Sequence, residues 1–451
     1  MNFLKIYRYF TITAALTFLL SACGGGGASS SALVSPVSAS LVQSQTGAMP
    51  GDSNVVAIYM DAGPVTTNHV INAMFVDIQI CAPGSTTQCA VIDHVLVDTG
   101  STGLRLMSSA IPASLVSALP QVPLGSGVAG ECLHFVQGFT WGGVRQLDLH
   151  WGGSNYTGEV ARTLNTQIIA DTDTRVVNAP SSCVVSGGGI ANAMQTVAQL
   201  GAKGIIGIGV FKYDCGTACV STTGNGYYAC ASSCISAATP LASQVTHPIS
   251  LLTTNNNGST IALPSLSKNY ADQVAGLLVL GIGTQTNNAL TQFSSVVSAL
   301  PYSAGYSAGT FTSVFNGHTL GGSYMDSGTS LNYFPAAGTL PYLVCTPASS
   351  TSFVYGLLCP TSPVTLTANI FNTANLAGAS TSATVYTVNA QTLVNSASSA
   401  NAFAGLAGNQ TATSNMVFGG SFFFGRSIAT LIENQSASGM SVTGPAFAYT
   451  P

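Results

Sequence analysis

One short pattern occurs twice in this chain. Residues 94–107 read His-Val-Leu-Val-Asp-Thr-Gly-Ser-Thr-Gly-Leu-Arg-Leu-Met, so an apolar segment, Val95 to Val97, delivers Asp98-Thr99-Gly100-Ser101. Far downstream, Ser323-Tyr324-Met325 leads into Asp326-Ser327-Gly328-Thr329-Ser330. Each copy presents one Asp, a small hydroxyl residue, a Gly and a second hydroxyl residue. Gly lets the backbone turn sharply and approach a neighbour closely. The hydroxyls can hydrogen-bond a carboxylate or a backbone group. A single Asp-Thr-Gly is an ordinary turn. Two copies, each on a strand-like segment, in a chain with only 14 acidic residues, point to a duplicated β architecture that brings two acids together.

Two carboxylates about 3 Å apart cannot both ionise easily, so they share a proton. One is then a base that activates water, and the other an acid that protonates a carbonyl oxygen or leaving nitrogen. In these residues the sequence resembles the pepsin-like aspartic peptidases, over roughly residues 51–451. The resemblance implies an all-β, bilobal fold with an active-site cleft between two pseudo-symmetric lobes. Residues 51–245 would form the lobe carrying Asp98, and 246–451 the lobe carrying Asp326. It implies that Asp98 and Asp326 are the catalytic pair of an endopeptidase. Ser101 and Thr329 would bond their outer oxygens, and Thr99 and Ser327 would lock together the loops that turn at Gly100 and Gly328. It also implies a monomer that acts on a peptide or protein without cofactor or metal, at acid to mildly acid pH.

Further segments fit the same resemblance. Gly204-Ile205-Ile206-Gly207-Ile208-Gly209 and Met416-Val417-Phe418-Gly419-Gly420 are similar to the segments that cross behind the catalytic strands. Other positions depart from it. Where the family commonly has Trp, seven residues past the first Asp, this chain has Arg105. The flap candidate, Cys132 to Trp151, offers Phe135, Phe139 and Trp141 but no clear counterpart of the flap Tyr. Arg105, Phe135, Phe139 and Trp141 are therefore expected at the flap and substrate cleft. Trp141 either replaces the missing Tyr or packs under the hairpin. These departures keep two other readings open: a binding protein on the same scaffold that has lost turnover, and a structural surface lipoprotein.

Composition narrows the compartment. Only 5% of residues are charged, against about 25% in typical domains. No basic patch can be assembled from 10 Lys and Arg, which argues against nucleic-acid binding. Lys5 and Arg8 precede an apolar stretch, Tyr9 to Leu20, that is short for a membrane span. Leu20-Ser21-Ala22-Cys23 resembles the lipobox of bacterial lipoproteins. That implies a signal peptide at 1–22 and a membrane anchor through lipidated Cys23; an ordinary secretory peptide is the alternative. Gly24, in place of the Asp linked to inner-membrane retention, points to the outer membrane. Residues 23–50 read as a flexible Gly/Ser-rich tether.

Of 11 Cys, ten remain once Cys23 is set aside, enough for five bridges in an oxidising compartment. Cys81 and Cys89 bracket a short loop, as do Cys345 and Cys359, and Cys132 and Cys183 are left to pair. Cys215, Cys219, Cys230 and Cys234 form either disulfides or, with a spacing that is not standard, a zinc site.

Strands are expected at Val55 to Tyr59, Ala73 to Ile80, Val144 to Leu149, His247 to Thr253, Gly276 to Gly283, Phe311 to Phe315, Phe422 to Phe424 and Ile428 to Ile432. A short helix is expected at Asn192 to Leu200. Asn316-Gly317 signals a type I′ hairpin. Insertions at 211–245 and 380–410 have no counterpart in the resemblance. Gly305-Tyr306-Ser307-Ala308-Gly309 matches the nucleophile-elbow pattern, but that needs a helix next and then an acid and a His. A strand follows instead, and the last His, His318, precedes both remaining acids. The six His residues show no metal-binding spacing.

Overall fold

Two kinds of strand build the protein, and their sequences differ accordingly. Val364–Phe371 and Ser380–Thr387 alternate, with Leu366, Ala368, Ile370, Ala383 and Val385 buried and the residues between them turned outward. That is the signature of an antiparallel pair with one wet face. Thr102–Met107 and Gly204–Ile208 are buried at every position, as in strands covered on both faces. The computed structural model describes residues 47–451 except 66–69, 187–188, 222, 224–225, 290–292, 294, 302, 304–307, 336–343, 348–352, 372–379 and 410–414. The signal segment, Cys23, most of the tether and the core of the Ser307 pattern lie outside the described residues.

The fold is all-β. Its longest described helix, Ala390–Ser396, has 7 residues. Among the described residues no helix is long and apolar enough to cross a membrane. One large sheet runs through both halves of the chain. Its bridge is the pairing of Val55–Met60 with Val274–Leu280, antiparallel from Val55↔Val279 to Met60↔Val274. A seven-stranded sheet belongs to the second half and contains the Asp326 strand, His318–Met325. One apolar cluster joins Ile58, Val97, Ile206, Leu278, Phe311 and Phe418 across the two halves.

The two crossing segments reveal the duplication. Gly204–Ile208 lies parallel to the Asp98 strand, Cys89–Asp98, with Gly207 beside Asp98, and antiparallel to Thr102–Met107. Val417–Phe418 lies parallel to the Asp326 strand, with Phe418 beside Met325, and antiparallel to Asn332–Phe334. Each segment thus threads between the strand that leads into an Asp and the strand that follows it. Glycine is needed at the first crossing because a methyl on Gly207 would stand 2.7 Å from the Thr102 backbone.

The hairpin at Asn316-Gly317 forms as expected, with both residues at positive φ (48° and 79°). The expected 192–200 helix is reduced to Val197–Leu200, capped by the Thr196 side chain and ended by left-handed Gly201. Two expected strands are instead single helical turns. Pro248–Leu251 is a 3-10 turn because Pro248 fits its first position and His247 Nδ1 accepts the Ile249 N–H at 3.2 Å. Gly420–Phe423 is also helical; a short apolar run does not fix its own period.

Five disulfides form: Cys81–Cys89, Cys132–Cys183, Cys215–Cys219, Cys230–Cys234 and Cys345–Cys359. The clustered cysteines pair within each C-x3-C and are not zinc ligands. Five bridges fit an exported protein.

Candidate active site

The strand ending at Asp98 and the strand ending before Asp326 deliver their acids to one place. The reason is local: each Asp is followed by a turn whose N–H groups fold back on its own carboxylate. Gly100 N–H donates to Asp98 Oδ1 at 2.7 Å, and Gly328 N–H to Asp326 Oδ1 at 2.8 Å. The second hydroxyl of each motif holds the other oxygen. Ser101 Oγ donates to Asp98 Oδ2 at 2.5 Å, and Thr329 Oγ1 to Asp326 Oδ2 at 2.6 Å. Behind each turn the crossing segment pins the hydroxyl residue. Gly209 N–H donates to Ser101 O at 2.8 Å, and Gly420 N–H to Thr329 O at 2.6 Å.

The first hydroxyls tie one loop to the other. Ser327 N–H donates to Thr99 Oγ1 at 2.9 Å, and Thr99 N–H to Ser327 Oγ at 3.0 Å. Each hydroxyl passes its own proton on: Thr99 to Met325 O at 3.2 Å, Ser327 to Val97 O at 2.7 Å. Four hydrogen bonds thus cross the seam in a pattern with two-fold symmetry.

The carboxylates meet as a result. A methyl on Gly100 would lie 2.7 Å from Asp326 Oδ1, and one on Gly328 2.7 Å from Asp98 Oδ1. The motif glycines are therefore what lets each loop approach the opposite acid. Asp98 is buried, and Asp326 keeps partial access to solvent. Burial, then the charge of Asp98, pushes the Asp326 carboxyl up to about 7, against the pull of the Thr329 hydroxyl. A hydrogen bond between the two side chains adds to the rise. Two negative charges in this space cost more than one charge and one shared proton.

A family model described as "Protein of unknown function (DUF3443)" matches residues 50–449. The chain belongs to the DUF3443 family. No curated protein matches it.

In this DUF3443 chain the eight motif residues, Asp98 to Ser101 and Asp326 to Thr329, converge at one site. Three of the four residues expected at the flap and cleft, Arg105, Phe139 and Trp141, are buried and not open cleft side chains. Trp141 is 2% exposed, donates its ring N–H to Val176 O at 2.6 Å and packs edge-on against Tyr228. Phe139 is buried in the same cluster. Trp141 thus takes the second of its two expected roles, packing under the hairpin formed by Gly127–Phe135 and Gly138–Trp151. Phe139, buried beside it, is corrected from a cleft residue to a core one. Phe135 is half-buried near the hairpin tip, where Val136 is exposed.

Arg105 is corrected too. It is fully buried and bonds Glu131 Oε1 at 2.5 Å and Asp214 Oδ2 at 3.2 Å. Tyr227 donates to Asp214 Oδ1 at 2.7 Å. Buried here, the guanidinium needs these partners, because leaving it unpaired would be prohibitively costly.

Some site residues are not apparent from the motifs. Tyr324, two positions before Asp326 on the strand that leads into it, lies on the side toward that acid. Burial, then the charges of Asp326 and Asp98, pushes its phenol up to about 12. The period-two pattern could have flagged it. Asn72, which bonds the chain just beyond Thr329, carries no sequence signal.

Proposed function

We propose that this protein is an aspartic endopeptidase of pepsin-like, bilobal architecture, working by water activation between Asp98 and Asp326. The observation that carries the reading is the pair itself: two acids at a seam, each with a matching turn N–H and hydroxyl, joined by reciprocal bonds. Asp326 holds the shared proton below pH about 7. Asp98 takes a proton from water as its oxygen bonds the peptide carbonyl carbon, and Asp326 gives its proton to the carbonyl oxygen. The tetrahedral diol then collapses. Asp98 protonates the departing nitrogen, the C–N bond breaks, and a diol hydroxyl returns its proton to Asp326. Water and peptide are consumed, acid and amine leave, and the pair again holds one proton. The hydroxyl and N–H partners keep the carboxylates at a fixed separation, on which such chemistry depends.

The compartment belongs to the same proposal. Export, cleavage before Cys23 and lipidation there would tether the enzyme to the outer membrane through residues 23–50. Five disulfides support an oxidising location.

A peptide library incubated with the protein across pH 3–8 should be cut, with activity falling toward neutral pH and blocked by pepstatin, a mimic of the tetrahedral intermediate. Asp98→Asn and Asp326→Asn should each reduce turnover by at least about 10³-fold with the far-ultraviolet spectrum unchanged. Turnover retained in either variant would dismiss the mechanism. Pepstatin bound without any cleavage would replace it with a binding protein.

A further inference from the structure

The backbone that follows Asp326 is held from the opposite half of the molecule by one side chain. Asn72 lies between Val55–Met60 and Phe75–Cys81, in the first half of the chain, and is fully buried. Its amide Nδ2 donates to Ser330 O at 2.9 Å, to Phe403 O at 2.9 Å and to Ser421 Oγ at 3.0 Å. Its Oδ1 accepts the Phe403 N–H at 2.6 Å, and its own N–H donates to Asn401 O at 2.7 Å. Every polar atom of the side chain is used.

The partners are not scattered. Ser330 follows Thr329, whose hydroxyl and N–H hold both oxygens of Asp326 (2.6 and 3.2 Å). Ser421 follows Gly420, whose N–H holds Thr329 O at 2.6 Å. Ser421 also donates to Phe403 O at 2.9 Å. The backbone of Gly420 fits so closely that a methyl there would lie 3.0 Å from both Asn72 O and Ser330 O. One amide therefore grips the Asp326 loop and the crossing segment that supports it. Asn72 does so at φ 53°, a left-handed conformation open to Asn and Gly but costly for most residues.

We propose that Asn72 is a positioning residue for the second carboxylate, fixing the Asp326 loop from the opposite half and thereby setting the separation of Asp98 and Asp326. The proposal rests on the peptidase reading for its kinetic consequence but not for its structural one. Thr99 and Ser327 lock the front of the two loops, and Asn72 locks the rear. With the rear free, the Asp326 loop keeps its own turn but loses its register against Asp98. Greater separation weakens the repulsion between the carboxylates, so the pair's upper apparent pKa moves down. The nucleophilic water is then held less well, and kcat falls more than KM rises.

Asn72→Gly is the informative variant, because glycine accepts the positive φ and the loop can fold without the amide. Ser421→Ala removes one partner only. Asn257→Ala is the control: Asn257 is equally satisfied, bonding Ile282 O at 2.8 Å, Ser436 O at 3.0 Å and the Ile282 N–H at 2.8 Å, away from both motif loops. On the full chain, Asn72→Gly should lower kcat by about tenfold or more, as sub-ångström misplacement does, with KM within about twofold. Its alkaline limb should move to lower pH. Ser421→Ala should shift in the same direction by less. Asn257→Ala should lower the melting temperature without moving kcat or the limb. Carboxyl 13C titration of Asp-labelled protein reads the same downward move without substrate.

A wild-type chain that cuts no peptide would sink the peptidase reading, and the carboxyl titration would still decide the role of Asn72. The role is overturned if Asn72→Gly loses stability while its carboxyl titration and pH limb stay at the wild-type values. It is equally overturned if Asn257→Ala moves them as far.

Discussion

A single methyl group tests the meeting of the two acids. Gly100 and Gly328 each face the opposite carboxylate at a distance that a Cβ cannot share, 2.7 Å. The carboxylates cannot step aside, because each oxygen is already bonded within its own loop. Gly100→Ala and Gly328→Ala should therefore lower kcat/KM by about 10²-fold or more. Gly321→Ala, on the strand that leads into Asp326 with nothing near its added methyl, should leave activity unchanged and stability within about 0.5 kcal/mol. Full activity in both motif variants would show that the acids do not meet as described. At this scale the sequence is most legible. An Asp with its turn and hydroxyls is a local device, so four consecutive residues announce it. Tyr324 was legible only through the period-two pattern of its strand, and Asn72 stayed hidden because its role exists only once distant segments are side by side. Nothing in the neighbours of Asn72 anticipates Ser330 or Phe403.

Elements carry the departure from the pepsin-like pattern. Arg105 on Thr102–Met107 is bonded to Glu131 on the hairpin and to Asp214 in the 211–245 insertion, so it fastens three segments. The insertion adds Tyr227–Cys230 to the hairpin edge, pairing Tyr227 with Glu131. On the other side, Phe139 N–H donates to Asn192 O at 2.9 Å, and Cys132–Cys183 ties the hairpin to a short helix. Arg105 is therefore a structural substitute for packing, not a cleft residue. Burial, and then the charge of Glu131, pushes Asp214 well above the usual carboxyl range. The network thus carries a proton. Arg105→Met should destabilise the protein by about 3–5 kcal/mol in urea unfolding, because it strands buried acids. Arg105→Lys should restore little, since one ammonium cannot both reach the two acids, which Nη2 bonds, and hold Thr102 O, which Nη1 bonds at 2.7 Å. A loss below about 1 kcal/mol would refute this role. The crossing segments and the Asn316-Gly317 hairpin were legible from glycines at fixed places. The insertion was not, because its strands are defined by the hairpin edge they join, and the buried aromatics looked like cleft residues because hydrophobicity alone does not say which face is open.

For the molecule as a whole, the buried ionisable groups set the pH at which it is most stable. Asp326 is raised from 3.8 to about 7, by burial first. The folded state therefore holds a proton that the unfolded chain has released, and the stability this gives is present below pH about 4 and lost as pH rises through about 7. Asp214 acts in the same direction. So does His94, where bonds to Asp61 and Asp93 outweigh burial and raise the ring above 6.5. Its contribution is lost at higher pH still. His247 opposes them. Burial lowers it from 6.5 to about 4, so its contribution is lost as pH falls from about 6.5 to 4. Asp326 and His247 each correspond to on the order of 3 kcal/mol, and they nearly offset between pH about 4 and 6.5. Above that window His247 is neutral in both states and gives nothing further, Asp326 has nothing left to lose once pH passes about 7, and Asp214 and His94 carry the remaining loss. Melting temperature should therefore fall gently across pH about 4 to 6.5, where the Asp214 loss is not offset, and more steeply above it as His94 joins. Asp326→Asn, which cannot ionise, should flatten the decline between pH about 4 and 7, leaving His247 and Asp214 to oppose each other there. A melting temperature that climbs from pH 4 to 7 in the wild type, with the same slope in Asp326→Asn, would contradict the protonated pair. The expected profile follows from the same crowding on which the proposed mechanism relies: the proton that Asp326 would give in acid catalysis is also one that stabilises the fold.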